Sequence, residues 1–219
     1  MATTSNLSAV VIGATGAVGQ SLVNQLLTNP QFSKVTTVGR RKLDSLQNVD
    51  TSKLNEVVVD MENMKSVKDE IGNNDVAFSC LGTTKAAAGS AEAFRHIDYD
   101  LNVEFANICK EKDIKCFNLV SSQMANANSW FFYMKTKGQA EEKIKEIGFP
   151  ILNIFRPGLL DRKDKTRMGE KIAKCFVSSI SVDTVAKAMI NFSISQLNKA
   201  DAAPVSVVDN AQIKQLASD

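Results

Sequence analysis

The sequence predicts an α/β fold in which a doubly wound parallel sheet carries helices on both faces. Two observations support this fold class. Short runs rich in β-branched residues alternate with longer segments of helical periodicity between Leu7 and Phe155, which is the pattern of right-handed βαβ crossovers. The first run also leads directly into a glycine-punctuated turn and a helical segment. In such a sheet a ligand binds at the carboxyl ends of the strands, where the strand order reverses.

Each element follows from local periodicity. Short apolar and β-branched runs predict strands at Leu7–Ile12, Lys34–Val38, Glu56–Val59, Asp75–Cys80, Lys115–Val120, Ile151–Phe155 and Pro204–Val208. Apolar residues that recur every three or four positions predict helices at Val18–Leu27, Asn63–Ile71, Ala91–Lys112, Phe132–Ile147, from Ser181–Asp183 to Ile194, and at Asn210–Ala217. Either Ser181 or Asp183 supplies the N-cap of the fifth helix.

The character of the sequence changes after Arg156-Pro157-Gly158. Asp161–Lys174 is rich in charge, mostly basic, and is either a solvated loop and helix face, which we favour, or a mobile lid. Asp44–Lys53 is polar and irregular, and predicts a long surface loop. We expect residues 1–219 to form one domain, with about 157–219 as a lid, a small substrate-side region and a short C-terminal extension.

Composition excludes several classes of protein. The 219 residues are 44% hydrophobic and 23% charged, and the net charge of +2 gives no indication of nucleic-acid binding. The cysteines have no CxxC spacing and there is one histidine, so we expect reduced thiols and no metal centre. We see no secretory signal and no apolar run of membrane-span length. We therefore expect a cytoplasmic protein, leaving a nuclear or organelle-associated location open.

The turn after the first strand, Gly13-Ala14-Thr15-Gly16-Ala17-Val18-Gly19, indicates a nucleotide site. Gly13 would form the tight turn, Gly16 would admit phosphates at the helix N-terminus, and Gly19 would let the helix approach the sheet. The Gly-Lys-Ser/Thr ending of a P-loop is missing, which argues against an NTPase. The alternative is a plain strand-to-helix turn. We favour a Rossmann-like NAD(P)-binding fold.

The end of the second strand indicates which dinucleotide is bound. Arg40 and Arg41 stand where an NAD-preferring fold usually places an acid. A guanidinium group suits a 2′-phosphate, so we expect NADP(H). Asp60, after the third strand, could accept the adenine amino group or cap the next helix. After the fourth strand, small residues would let the backbone pass the cofactor, and Cys80 is expected to be a packed thiol.

The strongest catalytic signal is Tyr133, four residues before Lys137. On a helix the two side chains share a face, and a neighbouring ammonium group favours the phenolate. Tyr133 could then exchange a proton with a carbonyl oxygen, and Lys137 could also hold the nicotinamide ribose. A hydroxyl that orients the substrate is expected after the fifth strand, where we prefer Ser122 to Ser121.

Nearby residues are interpreted more conservatively. His96 has a core-like spacing in its helix and is expected to be structural or at an interface rather than a base. Asn102 is expected to bond a strand backbone near the site. Trp130 and Phe131-Phe132 could line an apolar substrate pocket, but packing against the sheet is the favoured interpretation.

These motifs, in this order, resemble the atypical short-chain dehydrogenase/reductase superfamily, and more closely the Tat-interactive protein 2 family of oxidoreductase-like proteins. The similar segments are Phe32-Ser33-Lys34-Val35, Gly39-Arg40-Arg41-Lys42-Leu43, Cys80-Leu81-Gly82-Thr83-Thr84, Phe117–Ser122 and Phe155-Arg156-Pro157-Gly158. The resemblance implies an NADPH-binding Rossmann domain with a Tyr/Lys pair. The expected cofactor-binding residues are Gly13, Thr15, Gly16, Ala17, Val18, Gly19, Arg40, Arg41, Asp60, Cys80, Leu81, Gly82, Thr83, Lys137 and Pro157.

Two functions are compatible with the sequence. The first is an NADPH-dependent oxidoreductase that reduces a small carbonyl substrate, or oxidises the alcohol, with Tyr133, Lys137 and Ser122 as catalytic residues. The second is an NADPH-binding redox sensor or adaptor that regulates a protein partner, with the Asp161–Lys174 segment as a candidate surface. The long helices Ala91–Lys112 and Phe132–Ile147 make a homodimer plausible.

Overall fold

The computed structural model describes residues 6–44, 46, 49–161 and 179–218. Its strands are β1 Leu7–Ile12, β2 Phe32–Gly39, β3 Leu54–Val58, β4 Val76–Ser79, β5 Cys116–Val120, β6 Ile151–Phe155, β7 Leu159–Asp161, β8 Ser179–Ser181 and β9 Val205–Val208. The helices are α1 Ala17–Thr28, α2 Lys68–Ile71, α3 Lys85–Ala88, α4 Ala91–Arg95, α5 Leu101–Glu111, α6 Phe132–Ile147, α7 Val182–Leu197 and α8 Asn210–Leu216.

The central sheet of the described residues has seven strands in the order β3-β2-β1-β4-β5-β6-β9. Every neighbouring pair is parallel. The chain winds outward from β1 to β3 and then returns to the other side of β1 at β4, so the strand order reverses between β1 and β4. The predicted doubly wound parallel sheet is confirmed, and its switch point lies beside the glycine turn.

Two apolar layers cover the sheet because alternate strand residues face opposite sides. Ala9 and Val11 of β1 belong to the layer that includes α1, α7 and α8. Val10 and Ile12 belong to the other layer, which includes buried residues of α5 and α6. The helices α1, α5, α6, α7 and α8 therefore each have one face packed against the sheet.

Two predicted helices differ in detail. Asn63–Ile71 is mostly a 3-10 segment, Met61–Val67, followed by the short α2, because Asn63 departs from helical backbone angles (φ −118°, ψ 29°). The long helix is interrupted between α4 and α5 by a π-helical turn, His96–Asp100. A π turn inserts one residue into the helical register, so residues before and after it face different directions than a continuous helix predicts.

The C-terminal residues have a different place from the one we expected. β9 pairs with β6 in the main sheet, and α7 packs against α1, where the Ser21 hydroxyl donates to Asp183 Oδ1 at 2.7 Å. The Ser181 side chain caps α7 by accepting from the Thr184 amide. Residues 182–218 thus complete the sheet and its helical layer instead of forming a small substrate-side region.

Some sequence predictions fall outside the described residues. The charge-rich segment does so from residue 162 onward, and so do residues 45, 47 and 48 of the predicted surface loop. β7 and β8 form a separate parallel pair at either end of the undescribed stretch. They were not predicted, because three residues are too few to show a period. Within the described residues, no helix is long and apolar enough to cross a membrane.

The contact between α1 and the turn before it generates a test. A Cβ atom on Gly19 would lie 2.2 Å from the carbonyl oxygen of Gly13, whereas at Gly39 the nearest atom is 3.8 Å away. We expect Gly19→Ala to lower the free energy of unfolding by about 1–3 kcal/mol through overpacking. Gly39→Ala, the control, should change it by no more than about 0.5 kcal/mol. Thermal and denaturant unfolding measure both, and equal effects would contradict the close packing.

Candidate functional site

The turn after β1 is held by a glycine in a left-handed conformation. Gly13 has φ +76°, and a Cβ atom there would lie 2.6 Å from the backbone carbon of Cys80. Only glycine combines this φ with so close an approach. The turn is therefore pressed against the end of β4, at the point where the strand order reverses.

The N-terminus of α1 presents uncompensated amide groups. Its N-cap, Gly16, makes no side-chain capping bond, and the first turn holds no acidic residue. The first N–H groups of a helix have no partner within the helix, and the helix dipole favours an anion there. Gly16, Ala17 and Val18 line a cavity at this point. These features fit the pyrophosphate of a dinucleotide.

Two cavities lie on either side of the glycine turn. The central cavity, of about 160 Å³, is lined by Gly16, Ala17, Val18, Cys80, Leu81, Gly82, Thr83, Asp98, Val120, Ser121, Tyr133, Lys137 and Leu160. The edge cavity, of about 30 Å³, is lined by Gly13, Ala14, Thr15, Thr37, Val38, Gly39, Arg41 and Leu43. Most of the residues predicted from the sequence thus line one cavity or the other. Gly19, Arg40, Asp60, Ser122 and Pro157 line neither.

The central cavity contains a buried ion pair. Lys137 Nζ lies 2.7 Å from Asp98 Oδ1, and the two side chains are 8% and 0% exposed. Burial acts to lower the pKa of Lys137, but attraction to Asp98 and to a Tyr133 phenolate acts more strongly, so its pKa lies above the usual value. Lys137 is therefore a fixed ammonium group, one helical turn from Tyr133 in the same cavity.

Asp98 is a residue of the central cavity that the sequence analysis did not predict. Its Oδ2 accepts from the Thr83 amide at 2.8 Å, so the carboxylate joins the loop after β4 to Lys137 on α6. A signal was present: Asp98 lies on the same helical stripe as Phe94, Leu101 and Phe105. A carboxylate on an apolar stripe becomes buried and needs a partner.

A second buried carboxylate lies behind the cavity. Glu141 accepts from the Ser121 hydroxyl at 2.5 Å, and from Arg156 Nε at 3.0 Å and Nη2 at 2.5 Å. The hydrogen bond that Arg156 donates to Glu141 raises the pKa of Arg156, so the guanidinium group stays charged. Ser121 lines the central cavity with its proton already committed to Glu141, while Ser122 is half-buried beside it. The spacing of Tyr133, Lys137 and Glu141 by four residues could have revealed Glu141.

Several single predictions can be compared with the structure. Cys80 packs against the apolar layer that includes α1, in agreement with a packed thiol, and burial raises its pKa to about 12. Asp60 accepts from the Glu62 amide and caps the 3-10 segment, the second of its two proposed roles. Asn102 bonds the backbone of its own helix and the Ser79 hydroxyl rather than a strand backbone, because the π turn leaves those helical carbonyls within its reach.

His96 is not in the core as its spacing suggested. It lies at the surface, 2.7 Å from Glu62 Oε1 and 3.4 Å from Asp100 Oδ2. The hydrogen bond to Glu62 raises the pKa of His96. It links the 3-10 segment to the π turn, in agreement with a structural role.

We expected Trp130 and Phe131-Phe132 to pack against the sheet, and this prediction is wrong. Trp130 is 100% exposed and Phe131 71% exposed. Phe132 and Tyr133 are partly covered by Phe94, with ring centroids 5.8 and 5.6 Å away. Phe131 is the N-cap of α6, so Trp130 and Phe131 lie before the helix, and neither belongs to the two apolar layers of the sheet.

The edge cavity lies beside the end of β2, next to the predicted pair of arginines. Arg41 lines it and forms a surface ion pair with Asp44 at 3.0 Å. Such a pair contributes about 0–1 kcal/mol, so the guanidinium is available to an anionic ligand. Arg40 is exposed at the same strand end.

A glycine turn at the switch point of a doubly wound parallel sheet defines a Rossmann-type, nucleotide-binding protein. Residues 13–193 match the sequence profile described as NAD(P)H-binding. The chain belongs to this NAD(P)H-binding family.

The relatives place it more narrowly. Protein HTATIP2 of Rattus norvegicus is 35% identical over 226 residues, covering 98% of this chain and 90% of the rat protein. Protein FMP52, mitochondrial, of Candida albicans is 34% identical over 235 residues, covering 97% and 99%. The resemblance to the Tat-interactive protein 2 family is confirmed.

Solved structures share the fold at low identity. MoeE5, in complex with UDP-glucose and NAD, superposes with a TM-score of 0.71 at 15% identity, over 92% of this chain and 75% of its own. The UDP-glucose 4-epimerase of Thermotoga maritima gives 0.70 at 12%, over 97% and 82%. This likeness establishes the Rossmann-like fold.

The buried ion pair can be tested against an exposed one. Asp98→Asn leaves the Lys137 ammonium buried without a counter-charge, and we expect a loss of about 3–5 kcal/mol in unfolding free energy. Asp69→Asn removes a pair of the same 2.7 Å length in which Asp69 is 94% exposed, and should cost no more than about 1 kcal/mol. Denaturant unfolding at neutral pH measures both losses. Equal losses would show that burial of the pair is not what stabilises it.

Proposed function

We propose that the protein is an NADP(H)-dependent oxidoreductase that reduces a small carbonyl compound to the alcohol. The observation that carries the proposal is the central cavity. It brings the N-terminus of α1, the Tyr133 phenol and the buried Lys137 ammonium group together at the switch point of the sheet. Anion binding, a proton donor and a fixed positive charge are the parts that such a reduction needs.

In the proposed reaction the chain's residues manage the proton. NADPH, when bound, supplies the hydride that adds to the carbonyl carbon. Tyr133 donates its phenolic proton to the carbonyl oxygen as the C=O π bond becomes a C–H and an O–H bond. Lys137 stabilises the resulting phenolate until a proton from solvent restores the phenol. Asp98 is a positioning residue, because it acts through Lys137.

The hydroxyl that orients the substrate is assigned to Ser122. Ser121 lines the cavity, but its proton is held by Glu141, whose charge Arg156 balances. A donor to the substrate oxygen has to come from another group. Ser122 is next in the chain and half-buried, and since it lines neither cavity, the assignment requires its hydroxyl to turn toward the bound substrate. Glu141 and Arg156 would then fix the end of β5, from which Ser122 projects.

The alternative function, an NADPH-binding sensor or adaptor without turnover, has its predicted partner surface in residues 162–174, outside the described residues. It differs from an enzyme in one measurable respect, since it needs no proton donor.

The cellular location of the protein is a separate proposal. We propose a cytoplasmic location. Because a fungal relative is named mitochondrial, subcellular fractionation of the tagged full chain is the measurement that decides between the two compartments.

Calorimetric titration with NADPH and NADH tests the cofactor. We expect NADPH to bind more tightly, and an Arg40→Ala/Arg41→Ala double variant to lose about 10- to 100-fold in NADPH affinity, because hydrogen bonds to a charged group are lost. Its NADH affinity should stay the same. Lys42→Ala is the control, an exposed cation next in the chain. NADH binding as tight as NADPH binding would exclude the assignment to NADP(H).

Replacing the proton donor tests the reaction. Tyr133→Phe should lower kcat by about 10²- to 10⁴-fold while NADPH affinity stays within about twofold, since only the phenolic hydroxyl is removed. Tyr99→Phe is a matched control, because Tyr99 is the only other tyrosine and lies on the π turn, stacked on Arg95. The readout is NADPH oxidation with a panel of small aldehydes and ketones. Unchanged turnover in Tyr133→Phe would rule out the mechanism.

A further inference from the structure

An exposed aromatic surface adjoins the central cavity. Of the eight exposed large apolar side chains in the described part of the chain, five lie within residues 124–133. We call four of them the aromatic surface: Met124, Trp130, Phe131 and Phe132. The fifth, Tyr133, also lines the central cavity. The rings of Phe132 and Tyr133 both contact the Phe94 ring, so the aromatic surface adjoins the proposed reaction centre at Phe132.

The loop that carries this surface is firmly attached. A Cβ atom on Gly138 would lie 2.1 Å from the Ala127 amide nitrogen, so the loop backbone rests directly on α6. The Asn126 amide donates to the Met134 carbonyl at 3.0 Å, and the Phe131 amide donates to the Ser129 hydroxyl at 3.1 Å. The exposed positions of Trp130 and Phe131 are therefore fixed by the backbone contacts of this loop. Clustered exposed apolar side chains mark binding surfaces.

The charge pattern indicates what would bind. Residues 121–134 contain no charged side chain, in a chain that is 23% charged. Inside the central cavity, the charges of Asp98 and Lys137 balance each other. Leu81, Val120 and Leu160 supply apolar lining. A ligand that extends from Tyr133 across the aromatic surface meets no charge along residues 121–134.

We propose that the substrate is an uncharged carbonyl compound with an extended apolar body. Its carbonyl group lies at Tyr133, and its body lies across Phe132, Phe131 and Trp130. This inference rests on the proposed function and specifies its substrate class. The aromatic surface is a specificity determinant, since it binds the part of the substrate that does not react.

The chain supplies its own probe, because Trp130 is its only tryptophan. The full-length protein with saturating NADP⁺, which cannot deliver a hydride, is titrated with 2-decanone, 2-butanone and 9-oxodecanoate, and Trp130 emission is followed. We expect 2-decanone to shift the emission to shorter wavelength and to bind at least tenfold more tightly than 2-butanone. The terminal carboxylate of 9-oxodecanoate should reduce affinity at least tenfold relative to 2-decanone, because a charge is costly on an apolar surface.

A matched pair of variants assigns the effect to the surface. Phe131→Ala keeps the fluorophore and should raise the Kd for 2-decanone at least tenfold, since the apolar contact between the ligand and the aromatic side chain is lost. Val205→Ala, an exposed apolar residue of β9, should leave it unchanged. Equal Kd values for 2-decanone in Phe131→Ala and the wild type would overturn the proposal.

Other outcomes separate this proposal from the proposed function. Tight, Phe131-dependent binding of 2-decanone without NADPH oxidation would support the ligand surface and refute the oxidoreductase. Turnover of 2-butanone and 2-decanone with equal kcat/KM would support the oxidoreductase and overturn the substrate class. A dimer that Trp130→Ala converts to a monomer, or a Trp130 shift with phosphatidylcholine vesicles and none with 2-decanone, would overturn it as well. The surface would then belong to a second copy of the chain or to a lipid bilayer.

Discussion

The ion pair between Asp98 and Lys137 is the interaction on which the rest of the site depends. Asp98 lies in the π turn, Lys137 on α6, and the Thr83 amide in the loop after β4. Three elements from separate parts of the chain thus meet at one carboxylate. Neither charge is tolerable in that position without the other. The pair therefore fixes the relative position of the elements as well as the charge of the cavity.

The glycine turn imposes a complementary constraint from the other side. Gly13 meets the end of β4 and Gly19 meets the turn itself, both at distances that leave no room for a Cβ atom. Backbone packing brings the N-terminus of α1 to the cavity, and electrostatics brings Lys137 there. In the proposed function the two features have separate roles. The backbone amides at the N-terminus of α1 bind the phosphates of the cofactor, and the buried Lys137 ammonium group stabilises the phenolate of the proton donor, Tyr133.

The sequence allowed the fold to be predicted because strands buried on both faces are rich in β-branched residues, and because the glycine turn has few alternatives. Tyr133 and Lys137 were found for a similar reason, since both lie on one helix and their spacing fixes their common face. Asp98 was missed because its partners, Lys137 and the Thr83 amide, are distant in the chain, although its place on an apolar helical stripe was visible in the sequence. Trp130 and Phe131 were misplaced because an apolar run is expected to be buried, and only the tertiary position of the α6 N-terminus shows that no core lies there.

The position of the last helices has a consequence for how the chain is made. Leu22 and Leu26 of α1 share an apolar layer with Val185 and Met189 of α7, and Ser21 bonds Asp183. During synthesis α1 therefore finds its packing partner only after α7, far along the chain, has been made. Such long-range contacts slow folding and leave apolar surface exposed meanwhile. We expect the nascent chain to be prone to aggregation until α7 covers the apolar face of α1.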